Sequence, residues 1–187
     1  MVPVRILGIC GSLRRGSYNA AALRAAVSMA PADVAISVFD LRDLPQFDAD
    51  LERDAPPRVR ALREAVHAAD GVLIASPEHN YSFPGVLKTA LDWASRPAGQ
   101  NAWKGRPAAI LGASTGNIAT ARMQFHLRQV LVALDMPAVL RPEVLIGRAA
   151  EKFAPDGTLT DEPTAARIRE LVDALARMAR EAAARRG

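Results

Sequence analysis

The sequence predicts an α/β protein in which helices cover both faces of a five-stranded parallel sheet, a three-layer α/β/α sandwich. Short apolar runs alternate with longer helical segments along the whole chain, which is the pattern of successive strand–helix units. The runs GVLIA at 71–75 and AAILG at 108–112 are apolar throughout. Continuous apolar strands of this kind are expected where a parallel sheet is buried on both faces.

In the first half of the chain, residues 4–10 form a continuous apolar strand and residues 19–29 an alanine-rich helix. Residues 34–39 alternate in polarity, as a strand does, and end at an aspartate. The next stretch is rich in Asp and Pro, which predicts an irregular surface connection. Residues 57–69 then carry apolar side chains at helical spacing.

In the second half, the strand at 71–75 precedes a polar loop and a helix over 86–93, and the strand at 108–112 precedes a helix over 119–134. A fifth strand is predicted over 139–146. The tail from about 161 is an amphipathic helix, with Thr160 or Asp161 as its cap. We expect a single domain over 1–187 with the flavodoxin-like strand order 2-1-3-4-5.

Composition excludes several other classes of protein. The formal charge is +4, but the arginines are scattered and few aromatics lie among them, so no nucleic-acid partner is expected. One cysteine allows no intrachain disulfide, and three distant histidines have no metal-ligand spacing. No apolar run reaches the roughly 20 residues that span a bilayer, and no signal peptide is recognised, so we expect a cytoplasmic protein without membrane insertion.

The loop after the first strand predicts an anion site. Gly8, Gly11 and Gly16 have the wrong spacing for a dinucleotide fingerprint, and Ser17 stands where a P-loop has its lysine. Without that lysine, ATP hydrolysis is not expected. The remaining hydroxyls, amide, guanidinium groups and helix N-terminus suit one terminal phosphate, and Ser12, Arg14, Arg15, Ser17 and Asn19 supply them. The alternative is that Ser17 or Asn19 only caps the following helix.

Three stretches in this order resemble the NAD(P)H-dependent FMN reductase family, which includes quinone, azo-compound and chromate reductases: GSLRRGSYN, PEHNYSFPGVLKTALDWASRP and GASTGNIATARMQFHLRQVLVALDMP. The resemblance runs from about 5 to 146. It implies that FMN is bound, with its phosphate on the first stretch and its ring against the other two. The implied cofactor residues are Ser12, Arg14, Arg15, Ser17, Tyr18 and Asn19, then Pro77, Glu78, His79, Asn80, Tyr81 and Ser82, and finally Ser114, Thr115, Gly116 and Asn117. The family commonly has tyrosine where this chain has His79.

The resemblance further implies an oxidoreductase that takes hydride from NADH or NADPH. The small-molecule electron acceptor would be a quinone, a flavin, an azo compound or a metal oxyanion. No catalytic side chain is expected, because the flavin itself carries the chemistry. The alternative is a non-enzymatic flavodoxin-like electron carrier or a flavin-binding sensor. Self-association to a dimer or tetramer is also expected, because Trp93, Phe125 and Leu127 exceed the apolar side chains that one sheet face needs.

Overall fold

The computed structural model describes residues 3–185 and contains one parallel sheet with the order β2-β1-β3-β4-β5. The predicted fold class and strand order are thus confirmed. The strands are β1 (Val4–Cys10), β2 (Val34–Phe39), β3 (Gly71–Ala75), β4 (Ala108–Ala113) and β5 (Val144–Ile146). The helices are α1 (Tyr18–Ser28), α2 (Pro57–Ala68), α3 (Gly85–Ala94), α4 (Ala121–Ala133) and α5 (Glu162–Ala184).

The two faces of the sheet take alternate residues of each strand. In β3, Leu73 packs in the layer of α1 and α5, while Val72 and Ile74 pack in the layer of α2, α3 and α4. All five residues of β3 and all six of β4 are buried. The uninterrupted apolar runs therefore follow from a sheet covered on both sides.

The fifth strand is shorter than predicted, and the expected range 139–146 is wrong at its beginning. Only Val144–Ile146 pair with the end of β4. Near the predicted start the chain touches β4 at one point, where the Val139 N–H donates to the Ala108 carbonyl over 2.8 Å. Pro142 lies between these contacts and has no N–H to donate to a ladder.

The C-terminal helix begins as the sequence predicts. Asp161 is its N-cap, and the carboxylate accepts a hydrogen bond from the Thr164 N–H over 3.0 Å. α5 is long but carries charged residues along its length, and among residues 3–185 no helix is both long and apolar enough to cross a membrane.

Two of the three residues expected at a subunit interface lie in the core instead. Trp93 and Leu127 are fully buried, and the Trp93 indole donates to the Pro45 carbonyl over 2.8 Å. The Asp- and Pro-rich connection therefore provides packing and hydrogen-bonding partners for α3, which the sequence did not reveal. Phe125, by contrast, is 65% exposed on α4.

Candidate functional site

A cavity of about 470 Å³ opens at the carboxyl edge of the sheet, between the loops that follow β1, β3 and β4. This is the place where the strand order reverses, and ligands of open α/β sheets bind there. Ten of the predicted cofactor residues line it: Ser12, Arg14, Ser17, Tyr18, Asn19, Pro77, Glu78, His79, Ser114 and Thr115. The three sequence motifs therefore meet in one cavity.

The phosphate loop, residues 11–17, runs from β1 directly into the first turn of α1. Ser17 is the N-cap, and its hydroxyl accepts a hydrogen bond from the Ala20 N–H over 3.2 Å. The N–H groups of Tyr18 and Asn19 precede Ala20 in this turn and have no acceptor within the helix. They lie beside the cavity together with the positive end of the helix dipole, an arrangement that favours an anion.

The Asn19 side chain is occupied inside the protein. Its amide donates to the Ala113 carbonyl over 2.9 Å, and its oxygen accepts from the Ala113 N–H over 2.8 Å. Asn19 is buried, so these bonds tie α1 to the end of β4. The Asn19 group that remains available to a phosphate is therefore its backbone N–H, and not the side-chain amide that the sequence predicted.

The two arginines of the phosphate loop lie on different surfaces. Arg14 lines the cavity, and its guanidinium lies 5.7 Å from the centre of the Tyr18 ring. Arg15 lines a neighbouring groove together with Arg24. Within residues 3–185, neither Arg14 nor Arg15 forms an ion pair with a carboxylate. Arg14 is therefore the better placed of the two to meet an anion in the cavity.

Cys10 lies at the root of the phosphate loop, with its sulfur 3.6 Å from the Ser12 carbonyl. Burial raises the pKa of the Cys10 thiol, and hydrogen bonds from Ser12 and Ser17 offset this only in part. The thiol is thus protonated at neutral pH and a poor nucleophile. Cys10 therefore acts as a small packing residue beside the core.

The ring loop, residues 77–82, is a tight turn whose tip points away from the cavity. His79 and Ser82 exchange both backbone hydrogen bonds, at 2.8 and 2.9 Å. Between them Asn80 and Tyr81 have φ angles of 49° and 71°, the positive values that a type I′ turn requires. Asn80, Tyr81 and Ser82 do not line the cavity. Tyr81 is 68% exposed.

Glu78 lines the cavity, but its carboxylate makes its bonds to α4. One oxygen accepts from the Met123 N–H over 3.1 Å, and the other pairs with the Arg122 guanidinium. The hydrogen bond with Glu78 raises the pKa of Arg122 above its usual value. Arg122 is also centred over the Tyr81 ring at 3.8 Å. Arg122 therefore connects α4 to the ring loop, a contact that the sequence pattern does not reveal.

The third loop, residues 114–117, is fixed by the segment that follows β5. The Ser114 N–H donates to the Ile146 carbonyl over 2.9 Å, and the Arg148 N–H donates to Gly116 over 3.3 Å. Ser114 and Thr115 face the cavity, whereas Gly116 and Asn117 do not line it. This loop therefore presents only its first half to a ligand.

Five further residues of the cavity wall are not among the predicted cofactor residues, and all are small or apolar. They lie within the three resembling stretches, which is the signal that could have found them: Gly11, Leu13, Pro84, Val86 and Ala113. Pro84 is also the N-cap of α3. The wall thus combines polar groups at one end with apolar surface for a flat ring.

Comparison with known proteins agrees with this geometry. The family model for NADPH-dependent FMN reductase matches residues 4–151. An NAD(P)H-dependent FMN reductase of Pseudomonas aeruginosa is 47% identical over 92% of this chain and 93% of its own. A 2-hydroxy-1,4-benzoquinone reductase of a Burkholderia species is 40% identical over 95% of this chain and 97% of its own.

A solved structure gives the same result. The flavoenzyme NAD(P)H:(acceptor) oxidoreductase of Paracoccus denitrificans superimposes with a TM-score of 0.88 at 37% identity, and the match covers 95% of this chain and 98% of that one. The family match spans all three loops of the cavity. The chain therefore belongs to the NADPH-dependent FMN reductase family.

Proposed function

We propose that the protein binds FMN in the cavity between the three loops and uses it to reduce a quinone at the expense of NAD(P)H. One observation carries this proposal: the anion-binding turn of α1 and the two ring-contacting loops line the same cavity of about 470 Å³. That volume lies within the usual range for a small-molecule site, about 300–1,000 Å³.

The donors at the α1 end of the cavity fit a single phosphate. The Tyr18 and Asn19 N–H groups, the Ser12 and Ser17 hydroxyls and the Arg14 guanidinium all belong to residues of this wall. The Ser17 hydroxyl accepts from Ala20, and its proton can turn from the Cys10 sulfur to an anionic oxygen in the cavity. Arg14 adds a charge-assisted bond. No lysine is needed, because no second phosphate has to be reached.

Bound FMN would supply the redox chemistry, the transfer of two electrons from NAD(P)H to the acceptor. The protein's residues bind and orient this group. Pro77, Val86 and Leu13 offer apolar wall to a ring. The Ser114 hydroxyl accepts from the Gly116 N–H over 3.2 Å, which fixes the third loop beside the cavity.

The proposal that the acceptor is a quinone is supported by the Burkholderia relative, which is a benzoquinone reductase by name. If donor and acceptor occupy the same open ring face in turn, the kinetics are ping-pong. We expect parallel double-reciprocal lines when NADPH is varied at several concentrations of a quinone. Intersecting lines would contradict a shared site, and a flavin-containing protein that consumes no NADPH would support the carrier or sensor instead.

We also propose that the chain self-associates through the outer face of α4. Phe125 and Val132 are spaced seven residues apart on α4 and are 65% and 80% exposed, and Ile118, just before the helix, is 60% exposed. The same face of a second copy would bury these exposed apolar side chains, as in the isologous interface of a two-fold dimer. Phe125→Glu is expected to yield a monomeric mass by light scattering at micromolar concentration, while Val38→Glu, at another exposed apolar residue, leaves the mass unchanged.

All five strands belong to one sheet, which supports a single domain. We propose that the protein works in the cytoplasm, and the supply of reduced nicotinamides there supports this location.

A further inference from the structure

The wall of the FMN cavity includes a buried carboxylate. The Glu78 side chain is 5% exposed and belongs to the lining residues. A carboxylate so deeply placed is costly unless a cation and hydrogen-bond donors compensate it. The Met123 N–H, at the N-terminus of α4, donates one bond over 3.1 Å. The full positive charge comes from Arg122.

Arg122 reaches the ring loop from outside the cavity and contacts it twice. Its guanidinium pairs with Glu78 and lies over the Tyr81 ring at 3.8 Å. The Arg122 side chain is 40% exposed and is not part of the cavity lining. It therefore acts on a ligand only through the residues it holds, which is the position of a residue that supports a site without touching its contents.

A second side chain of α4 holds the same loop one turn further on. The Ser82 hydroxyl and His126 Nδ1 are 2.8 Å apart, and the His126 and Phe83 rings are 5.4 Å apart. The turn between Glu78 and Ser82 has two residues with positive φ, a conformation that costs energy for residues other than glycine and persists where the surroundings hold it. Arg122 is thus one of the residues of α4 that keep the ring loop in place, together with Met123 and His126.

The charge of this pair matters for a flavin because reduction adds negative charge to the ring. A lone carboxylate on the wall would disfavour the reduced form, and a lone guanidinium behind the wall would favour it. In the pair the two effects oppose each other. The relative affinity for the two redox forms therefore depends on the balance of Glu78 and Arg122.

We propose that Arg122 is a positioning residue of the FMN site, which holds the ring loop and neutralises Glu78 so that the wall presents no net negative charge to the reduced flavin. This rests on the proposed function only in requiring that FMN occupy the cavity. Removal of either charge is then expected to shift the redox preference in opposite directions, a result that a purely structural role does not give.

The test compares Arg122→Gln with Glu78→Gln. For each, the affinity for oxidised FMN is measured by flavin fluorescence, and the midpoint potential of bound FMN gives the ratio of reduced to oxidised affinity. We expect this ratio to fall about tenfold in Arg122→Gln, where the carboxylate stays unpaired. In Glu78→Gln it rises about threefold, the smaller effect because the guanidinium is partly solvated.

Two further variants complete the design. The double variant Glu78→Gln/Arg122→Gln has neither charge, and its affinity ratio is expected within about twofold of the original protein. Arg180→Gln is the matched control: Arg180 pairs with Asp33 before β2, at the amino edge of the sheet, and is similarly exposed at 44%. Its ratio should not change. Thermal unfolding of each apo protein reports folding separately.

If all variants keep the original ratio, or if the ratio falls in both single variants, the compensation is overturned. If Arg122→Gln does not fold, the affinity ratio of Glu78→Gln still tests the compensation: a rise supports it, and no rise overturns it. Failure of the unaltered protein to bind FMN would instead overturn the proposed function.

Discussion

The phosphate loop and the ring loop line the same cavity but are held in different ways. The phosphate loop leaves the Arg14 side chain without a carboxylate partner and turns the first N–H groups of α1 toward the cavity. The ring loop has its charge already paired, with Glu78 bound to Arg122 and to the Met123 N–H. The phosphate loop therefore keeps its polar groups for a ligand, while the ring loop uses them to hold the fold.

The largest expected effect is a loss of stability beneath the ring loop. A Cβ at Gly112 would lie 2.2 Å from Thr120 Oγ1 and 2.6 Å from the Ser76 carbonyl oxygen. Gly112→Ala is therefore expected to lower the free energy of unfolding by about 3 kcal/mol, because β3, β4 and the start of α4 meet here. Denaturant unfolding of the apo protein measures this.

Gly16→Ala in the phosphate loop is the matched control. Its Cβ would have only the Arg14 guanidinium nearby, at 3.7 Å, so a change within about 0.5 kcal/mol is expected. If both variants lost the same free energy of unfolding, the expected difference in packing between the two regions would be contradicted.

The next effect concerns Asn19, in the first turn of α1, whose side chain is bound to β4. Asn19→Ala removes both hydrogen bonds to Ala113 and leaves a buried N–H and carbonyl unpaired. We expect the free energy of unfolding to fall by about 2 kcal/mol, measured on the apo protein by denaturant titration. If the apo protein keeps its stability and binds FMN much more weakly, the result would instead support the sequence prediction that the Asn19 amide contacts the phosphate.

The smallest effect separates the two arginines of the phosphate loop. Arg14→Ala is expected to weaken FMN binding about tenfold, the scale of one charge-assisted hydrogen bond, without changing apo stability. Arg15→Ala removes the same charge from the neighbouring groove and should change the FMN affinity by less than about threefold. Fluorescence titration at fixed ionic strength measures both. Equal weakening would mean that net charge, and not the placement of Arg14, attracts the phosphate.

Much of the fold follows from local pattern. The apolar runs of β3 and β4 and the capping aspartate before α5 are visible in the sequence because burial and capping depend on nearby residues. β5 was predicted too long because its outer part depends on pairing with a distant strand and on Pro142. Local propensity predicts neither the pairing with a distant strand nor the effect of Pro142 on that pairing.

In the candidate site, too, local sequence pattern predicts some features and distant contacts determine the others. The sequence motifs place residues on the right loops, and ten of them reach the cavity. Their side-chain directions depend on contacts across 40 residues or more, as with Glu78 and Arg122 or Asn19 and Ala113. No periodicity or spacing encodes such contacts, so the roles of Glu78, Asn19 and Arg122 emerge only from the structure.

Two hydrogen bonds join the Asn19 side chain to the backbone of Ala113, and this connection crosses the cavity wall. It joins the helix that would receive the phosphate to the strand whose next residues are Ser114 and Thr115. The span between the two ends of the cavity is thereby set before any ligand arrives. Because the distance between the two ends is fixed, only a ligand of the right length contacts both. A flavin that lacks the phosphate contacts one end only. We therefore expect the protein to select FMN over riboflavin by length as much as by charge.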